Sequence, residues 1–107
     1  MNILVEYLYR DSGNNKLWGG VVFSNKMDID VCDLELCIRK SLIDGEFFVA
    51  KSVEVPSLRF DVYDEELDHG WHEYFGIRKT DVNPNDSLGR DICEFVEWLK
   101  LSGCSCS

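Results

Sequence analysis

The sequence ILVEYLYR at residues 3–10 decides the fold, because its side chains alternate like those of a strand in the middle of a sheet. Successive side chains of a strand point to opposite faces. One face is then wholly apolar, with Ile3, Val5, Tyr7 and Tyr9. The other face is mixed, with Leu4, Glu6, Leu8 and Arg10. This pattern predicts a central strand.

A second strand is predicted at residues 18–24, after a segment rich in turn-forming residues. That segment, DSGNNK at residues 11–16, separates two β-rich stretches. The two stretches therefore predict a β-hairpin with a rather long loop. Gly19 and Gly20 lie inside the second strand, where glycine indicates a bulge or a close approach of another part of the chain.

The first of two helices follows this hairpin. Asp28 and Asp30 are both suitable N-caps for a helix that runs to about Leu42, and Gly45 is placed to end it in the left-handed conformation. Apolar residues recur every three or four positions, which predicts one buried side. That side holds Val31, Leu34, Ile38 and Leu42.

The second helix is predicted close to the C-terminal end of the sequence. Asp86 or Ser87 caps it, and it continues to about Leu101. Its apolar side is again spaced for an α-helix. That side holds Leu88, Ile92, Phe95, Val96 and Leu99.

The remaining β-rich segments complete an α+β fold. Residues 46–55 and 71–79 predict two more strands, and residues 58–60 a short extra one. In the 71–79 strand, Glu73, Phe75 and Ile77 would alternate with the residues between them. The order ββαββα predicts a two-layer sandwich, with two helices packed on a mostly antiparallel sheet of four or five strands.

Length and charge limit the classes of function. The 107 residues predict a single domain at residues 1–101 and a short Cys/Ser tail at 102–107. A net charge of −9 argues against direct binding to nucleic acid or to anionic membranes. No apolar run approaches the about 20 residues of a membrane span, and the N-terminus carries no secretion signal. We therefore expect a soluble, cytoplasmic protein whose partner is basic.

Five cysteines predict no disulfide framework in a reducing compartment. Cys32, Cys37 and Cys93 fit the small apolar positions of a core. Cys104 and Cys106 form a CxC pair in the tail, without the further ligands that a zinc site needs. No cofactor or metal is predicted from them.

Residues 61–73 concentrate the titratable groups of the chain. This segment holds six carboxylates and both histidines but no lysine or arginine. If this region functions in binding, its candidate residues are Asp61, Asp64, Glu65, Glu66, Asp68, His69, Trp71, His72 and Glu73.

A small metal-binding or acid–base enzyme is one alternative for this segment. A carboxylate beside an imidazole orients its tautomer and suits proton transfer near neutral pH. However, the order DHGWHE at residues 68–73 matches neither zinc motif that pairs two histidines with a glutamate. In an extended segment, His69 and His72 would also point to opposite faces. We therefore assign no catalytic or metal-binding residue.

Protein recognition is the interpretation that the sequence favours. Trp71, Tyr74 and Phe75 beside an acidic cluster are typical of an aromatic anchor with a charged rim. The expected protein is a non-enzymatic interaction module, such as an immunity- or antitoxin-like inhibitor or a nucleic-acid mimic. Tyr7, Tyr9 and Trp18 belong to the core or line a dimer face, so a homodimer that binds a small molecule stays a third possibility.

Four segments resemble a known group of proteins: LYRD at residues 8–11, VVFSN at 21–25, LIDGEFFVA at 42–50 and LDHGWHE at 67–73. They resemble blocks of a family of small bacterial proteins, including proteins carried on mobile integron gene cassettes. The resemblance spans residues 4–99. It implies a bacterial accessory protein that is soluble and dimeric, and it implies no reaction and no catalytic residue.

Overall fold

The strands and helices follow one another in the predicted order, β-β-α-β-β-α. The computed structural model describes residues 1–10, 13–56, 58 and 71–103. Its elements are β1 (Asn2–Arg10), β2 (Lys16–Phe23), α1 (Val31–Ser41), β3 (Phe47–Val49), a 3₁₀ turn (Ala50–Val53), β4 (Trp71–Thr80) and α2 (Ile92–Gly103).

The four strands form one antiparallel sheet in the order β2-β1-β4-β3. The strand β1 is central, as its sequence predicts: Val5 lies opposite Val21 on one side and opposite Ile77 on the other. The predicted α+β fold is therefore confirmed. Of the extra strand predicted at residues 58–60, only Leu58 is described, and it lies outside the strands.

Both helices pack on the face of the sheet that carries Ile3, Val5 and Tyr7, which we call the helix face. These three side chains are at most 2 % exposed. The helices contribute six residues to the same core, namely Leu34, Ile38, Ile92, Phe95, Val96 and Leu99. Burying such apolar area is the main favourable term in folding.

The helix α1 begins and ends for identifiable local reasons. The Asp30 carboxylate accepts a hydrogen bond from the Cys32 N–H, which confirms one of the two predicted caps. The helix ends when Leu42 becomes extended. Gly45 does not cap it, contrary to the prediction. Instead, Asp44 and Gly45 both have positive φ and form a tight turn that leads into β3.

The strand β3 is much shorter than the predicted 46–55. It pairs with the first three residues of β4, and Val49 lies opposite Trp71. Beyond Val49 the described part of β4 offers no residue to pair with. The chain turns there, and the Val55 N–H donates to the Ala50 carbonyl at 3.2 Å.

The helix α2 begins later than predicted, at Ile92. Asp91 is its cap, because its carboxylate accepts the Cys93 N–H at 3.2 Å while the Glu94 carboxylate accepts the Asp91 N–H at 3.2 Å. The predicted caps Asp86 and Ser87 are therefore wrong. Leu88, which precedes the helix, is 50 % exposed rather than buried.

Asp86 forms a buried ion pair with Arg90 instead of capping a helix. Its two carboxylate oxygens accept from Arg90 Nε at 2.9 Å and from Nη2 at 2.8 Å. Arg90 also donates to the carbonyl of Val53 at 2.7 Å, and its guanidinium lies 5.0 Å from the Trp98 ring. A buried charge needs such complete pairing to be tolerated. The pair ties the loop before α2 to the 3₁₀ turn.

A bulge in β4 changes which of its side chains face the helices. Val5 lies opposite Ile77 and Tyr7 opposite Tyr74, so three residues of β1 match four of β4 and Phe75 is the extra residue. Tyr74 and Ile77 consequently share the helix face, while Phe75 lies on the open face with Glu73, as predicted. The prediction is wrong at Ile77, which was expected on the same side as Glu73 and Phe75.

The rest of the described chain adds two findings. None of its helices is long and apolar enough to cross a membrane. Cys32 and Cys37 are exposed, so the core positions predicted for them are wrong, whereas Cys93 is partly buried and packs against the core.

Candidate interaction surface

The face of the sheet opposite the helices, which we call the open face, is a continuous row of side chains across all four strands. Trp18 lies opposite Leu8, Leu8 opposite Glu73, and Glu73 opposite Phe47. Directly opposed residues of an antiparallel sheet point to the same side. The period of two then also places Trp71 on this face.

Large aromatic side chains are exposed on the open face. Trp18 is 52 % exposed, Trp71 42 % and Phe75 57 %. With Phe47 they form two pairs. The rings of Trp18 and Phe75 meet edge to face at 5.1 Å, and those of Phe47 and Trp71 are 5.6 Å apart. Such a cluster on one face exceeds the scattered exposure that is normal for a protein surface.

Two cross-strand ion pairs lie among these rings. Arg10 Nε is 2.9 Å from a Glu73 carboxylate oxygen, and Arg78 Nε is 3.5 Å from one of Glu6. All four side chains are partly exposed, so each pair contributes little to stability. Their effect is to make the middle of the open face neutral in a chain of net charge −9.

His72 points the other way and belongs to the core. It is 2 % exposed, and its ring lies between 5.3 and 6.0 Å from the rings of Tyr7, Tyr9 and Phe48. Its Nε2 accepts the N–H of Leu58 at 2.8 Å, which requires the neutral imidazole. His72 therefore holds the chain at Leu58 against the sheet.

The nine candidate residues divide into two groups. Trp71, His72 and Glu73 are described, and only Trp71 and Glu73 share the open face. The other six lie outside the described residues: Asp61, Asp64, Glu65, Glu66, Asp68 and His69.

The acid–base and metal alternatives find little support in this geometry. The strand places His72 and Glu73 on opposite faces, so they act on no common substrate atom. Glu73 is instead paired with Arg10. Within residues 1–10, 13–56, 58 and 71–103, no three metal-binding side chains cluster.

Two tyrosines of the helix face, Tyr7 and Tyr74, have raised pKa values. Burial raises the pKa of Tyr7 to about 12, and its hydroxyl donates to the Pro56 carbonyl at 2.7 Å. Burial also raises the pKa of Tyr74, and the nearby Glu35 carboxylate raises it further. Both phenols therefore stay neutral at physiological pH and serve as packing residues.

A small groove of about 150 Å³ lies between α1 and α2. Burial raises the pKa of the Cys93 thiol, and the Asp91 carboxylate raises it further, so this thiol is a weak nucleophile. Apolar side chains form most of the wall. The lining residues are Ile29, Leu34, Cys37, Cys93, Val96, Glu97 and Lys100.

No family model, no curated protein and no solved structure matches the chain. The integron-cassette relationship therefore stays a prediction of the sequence.

Two members of the aromatic cluster were not identified as surface residues from the sequence. Phe47 lies in an unbroken apolar run, FFVA, that does not reveal which ring is buried. Trp18 was assigned to a core or a dimer face. The pairing register of the strands identifies both as open-face residues, because it places their rings in the row that contains Glu73.

Proposed function

We propose that the protein is a non-enzymatic interaction module that binds a basic partner protein through the open face. The observation that carries this proposal is the exposure of Trp71 and Phe75 on one side of a sheet whose other side is buried by helices. Tryptophan and arginine dominate the binding energy of protein interfaces. Trp71, with Arg10 nearby, is the expected anchor.

The charge of the chain supports a basic partner. A protein of net charge −9 attracts positive surfaces and repels phosphate and anionic lipid. Exposed rings also accept lysine and arginine side chains on their faces. The acidic residues predicted for binding, Asp61 to Asp68, would then form the charged rim that speeds association. An immunity- or antitoxin-like inhibitor or a nucleic-acid mimic has these properties.

The first experiment is a pull-down with the tagged protein from the source cells at low salt, followed by elution at rising salt. We expect a stoichiometric basic protein that salt releases. Trp71→Ala should weaken its binding by about 2 kcal/mol or more, about 30-fold. The matched control is Leu36→Ala, because Leu36 is 59 % exposed but lies on α1.

Neutralising Asp64, Glu65 and Glu66 in the same assay should slow association at low salt and leave dissociation nearly unchanged. If Trp71→Ala binds the captured protein as well as Leu36→Ala does, the open face is not the binding surface. If no protein is captured from the source cells, the proposed function is wrong.

A further inference from the structure

Among the described residues, the outer edge of β2 is a second uncovered surface. In an antiparallel strand the N–H and C=O of one residue point to the same side, and the side alternates along the chain. The N–H and C=O of Val22 point outward, because both bond to Asn85 at 2.8 and 3.0 Å. The Ser24 carbonyl also points outward and accepts the Ile92 N–H.

The same alternation directs the backbone groups of Trp18 and Gly20 outward. The pairing of β2 with β1 is regular from Lys16 to Phe23, so no bulge interrupts the alternation. Within the described part of the chain, no residue pairs with the outward groups of Trp18 or Gly20. An uncovered edge of this kind is a template for another strand.

We infer that the β2 edges of two copies of this chain pair antiparallel, about a two-fold axis at Gly19. Trp18 then lies opposite the partner's Gly20, and each such pair exchanges two hydrogen bonds. Because the two-fold axis generates two such pairs, the two edges form four hydrogen bonds. Asn85 occupies the edge beside Val22, so the pairing is limited to residues 17–21.

The side chains at this edge are complementary to a second copy. Trp18 and Gly20 share the open face, so each Trp18 ring covers the bare backbone at the partner's Gly20. An aromatic ring across from an edge glycine is a known stabilising pair. On the helix face, Leu58 already fills the space above Gly19, where an added Cβ would lie 2.9 Å from Leu58 Cδ2.

Charge also favours a second copy at this edge. The strand β2, KLWGGVVF, contains one lysine and no carboxylate, although the chain carries 20 acidic residues. The two edges therefore meet without local repulsion. The remaining charge of the two copies still repels, so added salt should strengthen the dimer. Salt should weaken binding to a basic partner, which separates this inference from the proposed function.

The test uses the purified full-length protein alone. Sedimentation velocity should show a monomer–dimer equilibrium whose dimer fraction rises with protein concentration and with salt. Amide hydrogen exchange at high and low protein concentration should slow at Trp18 and Gly20. The amides of Leu17, Gly19 and Val21 are the internal control, because they already bond to β1.

A pair of variants then locates the contact. Trp18→Pro removes an outward N–H, and proline is tolerated at a strand edge. It should weaken the dimer at least 10-fold, whereas Trp71→Ala should leave it unchanged. A monomer at every concentration overturns the inference, as does a dimer in which exchange at Trp18 and Gly20 does not depend on concentration. The exchange result on the unaltered protein decides the matter if Trp18→Pro fails to fold.

Discussion

The helix face and the open face are built from the same four strands, yet their aromatic side chains differ in burial. On the helix face, Tyr7 and Phe23 are at most 1 % exposed and pack against the helices. On the open face, Trp18 and Phe75 are more than half exposed, and their rings contact each other edge to face. Stability therefore resides mainly on one face, while the other holds rings that burial in the fold does not explain.

The bulge in β4 increases this difference in burial between the two faces. It allows Tyr74 and Ile77 to face the helices although they are three residues apart. Phe75 lies beside Trp18, on the same face as Glu73. A regular strand would have turned Ile77 toward the open face. The fold thus departs from regular geometry at the point where its aromatic surface forms.

Truncating one aromatic ring on each face gives the largest expected contrast. Phe95→Ala should lower the free energy of unfolding by about 3–5 kcal/mol, because Phe95 is 2 % exposed and stacks on Phe23 at 4.5 Å. Phe75→Ala should cost about 1 kcal/mol or less. Urea denaturation of both variants measures the difference. Equal losses would mean that the two faces contribute alike.

Low pH should lower the free energy of unfolding, because two carboxylates near the helices become protonated. Burial by itself raises the pKa of Asp86, but its hydrogen bonds to Arg90 and the Arg90 charge lower it below its ordinary value of 3.8. The pKa of Asp91 is also lowered, because hydrogen bonds from Lys26 N–H, Cys93 and Ser24 outweigh its burial.

Both folded pKa values therefore lie below those of the unfolded chain. The stability that these groups contribute is complete above the ordinary carboxyl pKa, and it is lost as the pH falls through the lowered values. Urea midpoints between pH 7 and pH 2 should fall most steeply below about pH 4. Asp86→Asn should flatten this fall. A fall that is identical in the variant and the unaltered protein would contradict the assignment.

A glycine on each face gives the smallest expected contrast. Gly19→Ala should destabilise by about 1 kcal/mol, because its Cβ would press on Leu58. Gly76→Ala meets nothing within 4 Å and should be neutral or stabilise by up to about 1 kcal/mol. Thermal unfolding at low protein concentration compares them. A larger loss for Gly76→Ala would show that the open face is packed more tightly there.

Local patterns predicted the element order well, whereas loop geometry and contacts distant in sequence account for the errors. The alternation at residues 3–10 and the Asp30 cap depend on neighbours in sequence, so both could be read directly. Asp86 was mistaken for a cap because its partner Arg90 binds it through a loop geometry that spacing does not reveal.

The candidate site was predictable only in part, because the surroundings of His72 and Glu73 depend on residues that are distant in the sequence. Trp71, Tyr74 and Phe75 were predicted as interface aromatics because they adjoin the acidic segment. Trp71 and Phe75 are exposed, but Tyr74 is 7 % exposed and packs on the helix face, so that member was wrong. The burial of His72 depends on Tyr7 and Tyr9, which are more than 60 residues away in the sequence. The pairing of Glu73 with Arg10 likewise requires the β1–β4 register.

The indole N–H signals of the three tryptophans test the central claim most directly. Trp71 and Trp18 lie on the open face, whereas Trp98 lies on α2 beside Arg90. When the captured partner is added to labelled protein, the Trp71 signal should shift or broaden and the Trp98 signal should stay in place. A shift at Trp98 with Trp71 unchanged would contradict the account and move the binding surface to the helices.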